Sequence, residues 1–198
     1  MPAKLPTVLV LAAGRSTRFR ARTGKDKLQE VLLGRRVRDW VTQAAQDSGL
    51  PWHVVEAAHT AHLNQPGMGD SIACGVAATA EAAGWLVLPA DLPLIQPASL
   101  VAVAQALRNH AVVLPRYRGT RGHPVGFGAA ARAGLLALRG DGGAAPVVAA
   151  WKERGALAVL ELDDLGCITD VDTPEALEAA QALALQRQAS AEGPSVGE

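Results

Sequence analysis

Cysteine is scarce in this sequence: there are two in 198 residues, Cys74 and Cys167, and neither sits in a CxxC or Cys/His metal-ligand spacing. That excludes a disulfide scaffold and a zinc module, and it points to a reduced chain of the cell interior. Aromatic residues are also few, at 4%, which argues against an aromatic-cored β-sandwich. Long apolar runs are missing. Residues 7–13 stop at Gly14 and Arg15, short for a signal-peptide core and far too short to span a bilayer, and nothing downstream approaches a spanning length. The expected location is therefore cytoplasmic, with no membrane partner. Net charge is +0, so the molecule as a whole has no electrostatic reason to seek nucleic acid.

What is present is alanine, valine, leucine and glycine, the composition of a parallel sheet wrapped by alanine-rich helices. Charge is unevenly placed. Residues 1–40 hold ten Lys/Arg against three acids, and residues 153–198 hold ten acids against two bases. A basic front half fits a local anionic ligand, although a solvated surface gives the same count. Short β-branched and leucine runs predict strands at 7–11, 52–56, 85–89, 111–114, 125–127 and 157–162. Helical spacing falls between them, at 37–48, from the turn at 67–71 through 83, at 97–109, around 129–138, after the glycines of 140–143 through 154, and at 174–188. Asp70 or Ser71 is available to cap the second of these, and residues 15–26 read as a long basic loop. Strands alternate with helices and no linker divides them. The expected fold is a single α/β domain over residues 1–189, a three-layer sandwich with a mostly parallel sheet, followed by a flexible tail at 190–198. Trp40, Trp52, Trp85 and Trp151 fit core positions.

Ligands of such sheets bind beyond the carboxyl ends of the strands, which directs attention to residues 11–27, 66–71, 90–93 and 170–173. In Leu11-Ala12-Ala13-Gly14-Arg15-Ser16-Thr17-Arg18, small residues at a strand end let backbone N–H groups approach a phosphate, with Arg15, Arg18 and Lys27 near enough in sequence to neutralise it. A Walker A loop fails because Phe19 stands where its second glycine belongs, and a GxGxxG turn fails at Ser16 and Phe19. Asp91, set by Pro89 and Pro93 at the end of a buried strand, offers magnesium a hard oxygen, or else caps a turn. Asp170 and Asp172 alternate, which on a strand end puts both carboxylates on one face, while Asp172 or Thr173 could equally cap the helix opened by Pro174. Arg121-Gly122-His123-Pro124-Val125 offers a cation and an imidazole beside a permissive glycine, and His123 could also be a structural turn residue.

In this order the segments resemble the MobA-like nucleotidyltransferase family, and within it the molybdenum cofactor cytidylyltransferase branch. The family's LAAGxSxR opening, its lysine, GMGxS, ADMP, RGHPV, GDxGA and DxDTPE elements are matched at 11–18, Lys27, 67–71, 90–93, 121–125, 140–144 and 170–175. The resemblance implies a Rossmann-like nucleotidyltransferase fold and roles for individual residues. Ala12, Ala13 and Gly14 would meet the nucleotide through their backbone, with Arg15 and Lys27 on the triphosphate and Arg18 assisting. Gly69, Asp70 and Ser71 would approach base or ribose. Asp91 and Asp172 would hold Mg2+, and His123 would line the acceptor side. The implied reaction is attack by an acceptor's phosphate on the α-phosphate of a nucleoside triphosphate, CTP in that branch. The acceptor is molybdopterin, and a molybdoenzyme is a possible client.

The chain departs from the pattern at Phe19-Arg20, where the family has Met-Gly, and in the short arginine-bearing insertion before Lys27, which makes Lys25 a rival for the lysine role. Asp70 replaces a small residue and brings a negative charge. Two other readings stand beside nucleotidyl transfer. One is a noncatalytic protein that binds or delivers the molybdenum cofactor. The other is a sugar-phosphate nucleotidyltransferase, which needs a sugar-recognition subdomain that this length hardly accommodates.

Overall fold

The computed structural model describes residues 4–191. β1 (Thr7–Ala12) sends Val8 and Val10 to one face of the sheet and Leu9 and Leu11 to the other, because successive strand side chains alternate. The expected basic loop contains a helix instead, α1 (Thr17–Thr23). Phe19 explains it: the ring is 2% exposed and belongs to the core, while Arg18, Arg20 and Arg22 face water. β2 (Val31–Leu32) and β3 (Arg35–Arg36) form a small separate hairpin ahead of α2 (Val37–Asp47). Then come β4 (Trp52–Glu56), α3 (Ala57–Thr60), α4 (Met68–Ala78), β5 (Gly84–Pro89) and α5 (Pro97–Ala106). The second half holds β6 (Val112–Tyr117), β7 (Thr120–Arg121), β8 (Val125–Gly128), α6 (Arg132–Leu136), α7 (Ala145–Glu153), β9 (Leu157–Glu161) and α8 (Pro174–Ala191).

The main sheet runs β4-β1-β5-β8-β6, with β9 pairing β6 along its whole length and β7 pairing its far end. β1 is parallel to β4 and β5, and β6 to β9, whereas β8 lies antiparallel between β5 and β6. Five strands therefore point one way, and the sheet is mostly parallel. Both faces are covered. Val8, Val10, Leu86 and Leu88 pack under α1, α2, α5 and α8, and Leu9, Leu11, Trp85 and Val87 pack under α4, α6 and α7. Each such leucine or valine taken fully out of water contributes roughly 1.5–3 kcal/mol. This is the expected three-layer α/β sandwich.

Several local expectations change. α4 begins at Met68 with Gly67 as its N-cap, so Asp70 lies inside its first turn, and the helix ends at Ala78. Of the tryptophans only Trp85 is fully buried; Trp52, on the outer strand β4, is 41% exposed. Asp170 and Asp172 follow a 3₁₀ turn at Leu165–Ile168 and are irregular rather than on a strand. The last helix reaches Ala191, so Ser190 and Ala191 of the expected tail are helical, and its residues 192–198 lie outside the described residues.

Candidate active site

The parallel register Leu11↔Pro89 brings the ends of β1 and β5 level, and Ala90 donates its backbone N–H to the Leu11 carbonyl at 3.1 Å. Ala13-Gly14 and Asp91 thus emerge side by side. They open into a cavity of about 690 Å³, which also takes Arg15, Arg18, Lys27, Ser71, His123 and Asp172 into its walls. A Cβ placed on Gly14 would meet nothing within 4 Å, so the backbone there is open to a ligand. Ser16 has φ 51°, and its hydroxyl donates to the Asp26 carboxylate at 2.8 Å, closing the loop that carries α1.

Lys27 is the centre of the charge network. Its Nζ donates to Asp91 Oδ2 and to Asp172 Oδ1, each at 2.5 Å, and Arg18 pairs with the other oxygen of Asp172 at 2.6 Å. Burial alone would lower the Lys27 pKa. The charge of Asp91 and the bonds to Asp172 and Asp91 outweigh it and hold the ammonium above its ordinary value. For Asp172, burial is likewise overcome, chiefly by the Lys27 bond and charge, and its carboxyl stays below the usual range. Asp170 moves the other way: burial and the adjacent Asp172 raise it, and a hydrogen bond joins the two carboxyls. Asp170 is thus the member of the pair that more readily keeps a proton. Its segment is fixed by Val171, whose N–H donates to the Asp91 carbonyl at 2.9 Å. The helix that follows is capped by Thr173, whose hydroxyl accepts from the Ala176 N–H at 3.2 Å, which leaves Asp172 to the cavity. Lys25 stands apart, 67% exposed with Glu30 at 3.6 Å.

His123 reaches the site from the segment between β7 and β8. Its N–H donates to the Cys167 carbonyl at 2.8 Å, and its Nδ1 is buried without a hydrogen-bond partner. Burial lowers its pKa; Asp91 and a bond to the Val87 backbone work against this, and Arg121 adds to it, so the imidazole is neutral at pH 7.

Three expected contacts lie elsewhere. Ala12, expected to offer its backbone, is not among the residues that line the cavity, and its methyl packs against the core. Gly69 faces the Arg139 backbone, where a Cβ would stand 2.9 Å from its carbonyl oxygen. Asp70 is turned away from any nucleotide, because its carboxylate accepts the N–H groups of Gly67 at 2.9 Å and Gly140 at 2.8 Å. It ties the start of α4 to the glycine loop at Gly140–Gly142, and the departure from the family pattern is a structural clamp rather than a charge beside the ligand.

Residues 8–157 match the family described as MobA-like NTP transferase domain. The chain belongs to that family. "Purine catabolism protein PucB" of Bacillus subtilis (strain 168) is 29% identical over 192 residues, covering 83% of this chain and 90% of that protein. The fold is shared with a nucleotidyl transferase from Methanothermobacter at TM-score 0.77 and 21% identity, covering 93% of this chain and 100% of the other. It is shared too with molybdopterin-guanine dinucleotide biosynthesis protein A from Archaeoglobus fulgidus, at TM-score 0.57 and 16% identity over 91% and 99% of the two chains. As a member of the MobA-like family the chain is a nucleotidyltransferase, and its opening glycine turn and cavity acids lie where the family elements fall in the sequence.

Whether this NTP transferase domain suits a divalent cation can be judged from its own side chains. Among the described residues no three His, Cys, Asp or Glu form a metal cage. Two carboxylates, Asp91 and Asp172, nevertheless face each other across a cation, the Lys27 ammonium, so the spacing fits a positive charge between them. Two carboxylates completed by phosphates and water is the pattern magnesium favours. The sequence reading overlooked Asp164, 3% exposed, which accepts from the N–H groups of Gln96 and Gly166, from Ser99 and from Arg187. In Leu162-Asp163-Asp164-Leu165 nothing separates Asp164 from its neighbour Asp163 or from the acids of a surface turn.

Proposed function

We propose that the cavity transfers a nucleoside monophosphate, CMP from CTP, to the terminal phosphate of a small acceptor, molybdopterin, with release of pyrophosphate. The observation that carries this reading is the convergence of Gly14, Lys27, Asp91 and Asp172 on one cavity. The molybdopterin acceptor is supported by the motif order and by a fold neighbour named for molybdopterin-guanine dinucleotide biosynthesis, and the relative named for purine catabolism is compatible with it.

In this reading the backbone of Ala13 and Gly14 receives the phosphates, and Arg15 and Arg18 neutralise them from the rim. Asp91 and Asp172 would hold Mg2+, which would supply charge withdrawal at the α-phosphate. Lys27 then leaves its two carboxylates for the triphosphate. An acceptor phosphate oxygen forms the new bond to the α-phosphorus while the bond to the bridging oxygen of the β-phosphate breaks. The electron pair leaves with pyrophosphate. No protein nucleophile is needed, since positioning and charge neutralisation supply most of the rate.

A thermal-shift panel of CTP, GTP, ATP and UTP with magnesium tests donor identity: CTP should stabilise the protein most. Pyrophosphate release with CTP and molybdopterin tests the transfer. No response to any nucleotide would remove the reading and leave a noncatalytic cofactor-binding protein.

A further inference from the structure

We infer that Arg121 is the receptor for the acceptor's phosphate, across Asp91 from the nucleotide loop. The inference rests on the nucleotidyl-transfer reading and gives its second substrate a place. Strand register supplies the geometry. β1 and β5 pair in parallel as far as Leu11↔Pro89, so one further pleat sets Ala13 beside Asp91. On the other flank, β8 pairs antiparallel with β5 as far as Val87↔Val125, and the segment that leads into β8 brings Arg121 to the wall of the cavity that Asp91 also lines. Asp91 therefore has the glycine turn on one side and Arg121 on the other, and both flanks line the same cavity. An in-line displacement needs this order, with the entering and leaving oxygens on opposite sides of the phosphorus.

The position of Arg121 is built. The β6–β7 turn at Arg118-Gly119 has φ values of 48° and 81°, and Arg121 pairs with Arg116 across the hairpin. Gly122 then donates to the Pro115 carbonyl at 2.9 Å and lies so close to the 3₁₀ turn before Asp170 that a Cβ would come within 2.7 Å of the Cys167 oxygen. Strap and acids are thereby locked together.

Charge gives the reason for the residue. A phosphomonoester dianion entering beside Asp91, Asp170 and Asp172 is repelled unless a cation meets it. Lys27 and Arg18 are paired with carboxylates, and Arg15 donates to the Pro66 carbonyl on the donor side. Arg121 has no ion pair or side-chain hydrogen bond among the described residues. Its planar fork can take two phosphate oxygens at once, which selects a phosphomonoester over an uncharged alcohol.

The test titrates inorganic phosphate into full-length protein saturated with magnesium and α,β-methylene-CTP, which blocks the donor side, and repeats it without nucleotide. Arg121→Ala should weaken phosphate binding at least tenfold and Arg121→Lys by less. Nucleotide affinity should stay within twofold in both. Arg116→Ala, which removes an exposed neighbouring charge outside the cavity, should change neither, and matching melting temperatures establish that the variants fold. Unchanged phosphate affinity in Arg121→Ala would overturn the inference. An equal loss of nucleotide affinity would overturn it too, by giving Arg121 to the donor. A protein that binds nucleotide but no phosphate sinks this inference alone; one that binds phosphate through Arg121 yet no nucleotide upholds the anion site and sinks the transfer reading.

Discussion

Asp91 and Asp164 each follow the carboxyl end of a strand, β5 and β9 respectively, and each is held by a basic side chain. Around Asp164 the partners are backbone N–H groups of Gln96 and Gly166, the Ser99 hydroxyl and Arg187, which also donates to the Leu94 carbonyl at 2.8 Å. Almost none of that carboxylate meets water, and a ligand could not take over its bonds. Around Asp91 the side-chain partner is the flexible ammonium of Lys27, in a cavity wall. A buried acid satisfied by fixed backbone donors stabilises a fold, whereas one satisfied by a movable cation can exchange that cation for a ligand.

The sharpest way to break this contrast is to remove each acid. Asp91→Ala should reduce turnover by about 10²–10³-fold, the scale of losing a main electrostatic element of an active site, with the melting temperature nearly unchanged. Asp164→Ala should do the reverse, costing about 3 kcal/mol because Arg187 and two buried N–H groups lose their acceptor. That cost is a fall in Tm of roughly 6–12 °C for a domain of this size. Full activity in Asp91→Ala, or an unchanged melting curve in Asp164→Ala, would erase the distinction.

The cations sharpen it further. Lys27→Ala should weaken CTP binding about tenfold, the equivalent of one charge-assisted hydrogen bond, and Lys25→Ala should change it less than twofold, because Lys25 lies outside the cavity against Glu30. Arg187→Ala should leave binding alone and lower stability by about 2 kcal/mol. Calorimetric titration with CTP and thermal melts of the three variants measure this, and the reverse order of the lysines would place the insertion after Arg18 differently.

The same contrast explains what the sequence could tell. The continuous apolar runs in Thr7–Ala12 and Gly84–Pro89 were legible because burying both faces of a strand forces apolar residues at nearly every position, and a strand end is marked where glycine or proline stops the run. Asp91 could be read as a candidate site residue because it stands at such an end. Three things were not legible. α1 hides among arginines, since its seven residues offer the core a single apolar anchor, Phe19. Asp164 gains its meaning from Gln96 and Ser99, more than sixty positions away in the chain. The glycine pattern was silent about clearance: a Cβ at Gly14 would find open space, whereas one at Gly166 would lie 1.9 Å from the Leu94 oxygen.

Asp70 lies between the two cases, a buried acid held by backbone donors yet flanked by the cavity-lining Met68 and Ser71, and its effect should be the smallest. The N–H groups of Gly67 and Gly140 outweigh its burial, and Arg139 adds to them, so its carboxyl lies below the ordinary value of 3.8. A depressed carboxyl contributes stability above its unfolded pKa and loses it as pH falls through the folded one. The clamp is therefore complete at pH 7 and is lost only in acid, as pH falls below the ordinary value of 3.8 and through the depressed folded one. Asp70→Asn keeps one acceptor oxygen without the charge, so it should melt a few degrees lower than the parent at pH 7, and the gap should close as acid protonates the parent's carboxylate. Because the carboxylate joins the Met68–Ala78 helix to the Gly140–Gly142 turn, the variant should also loosen the wall formed by Met68, Ser71 and Asp141 and raise the KM for CTP more than it lowers kcat. A melting gap independent of pH would show that the two loops are held by packing, with Gly67 against Gly140, and not by the carboxylate.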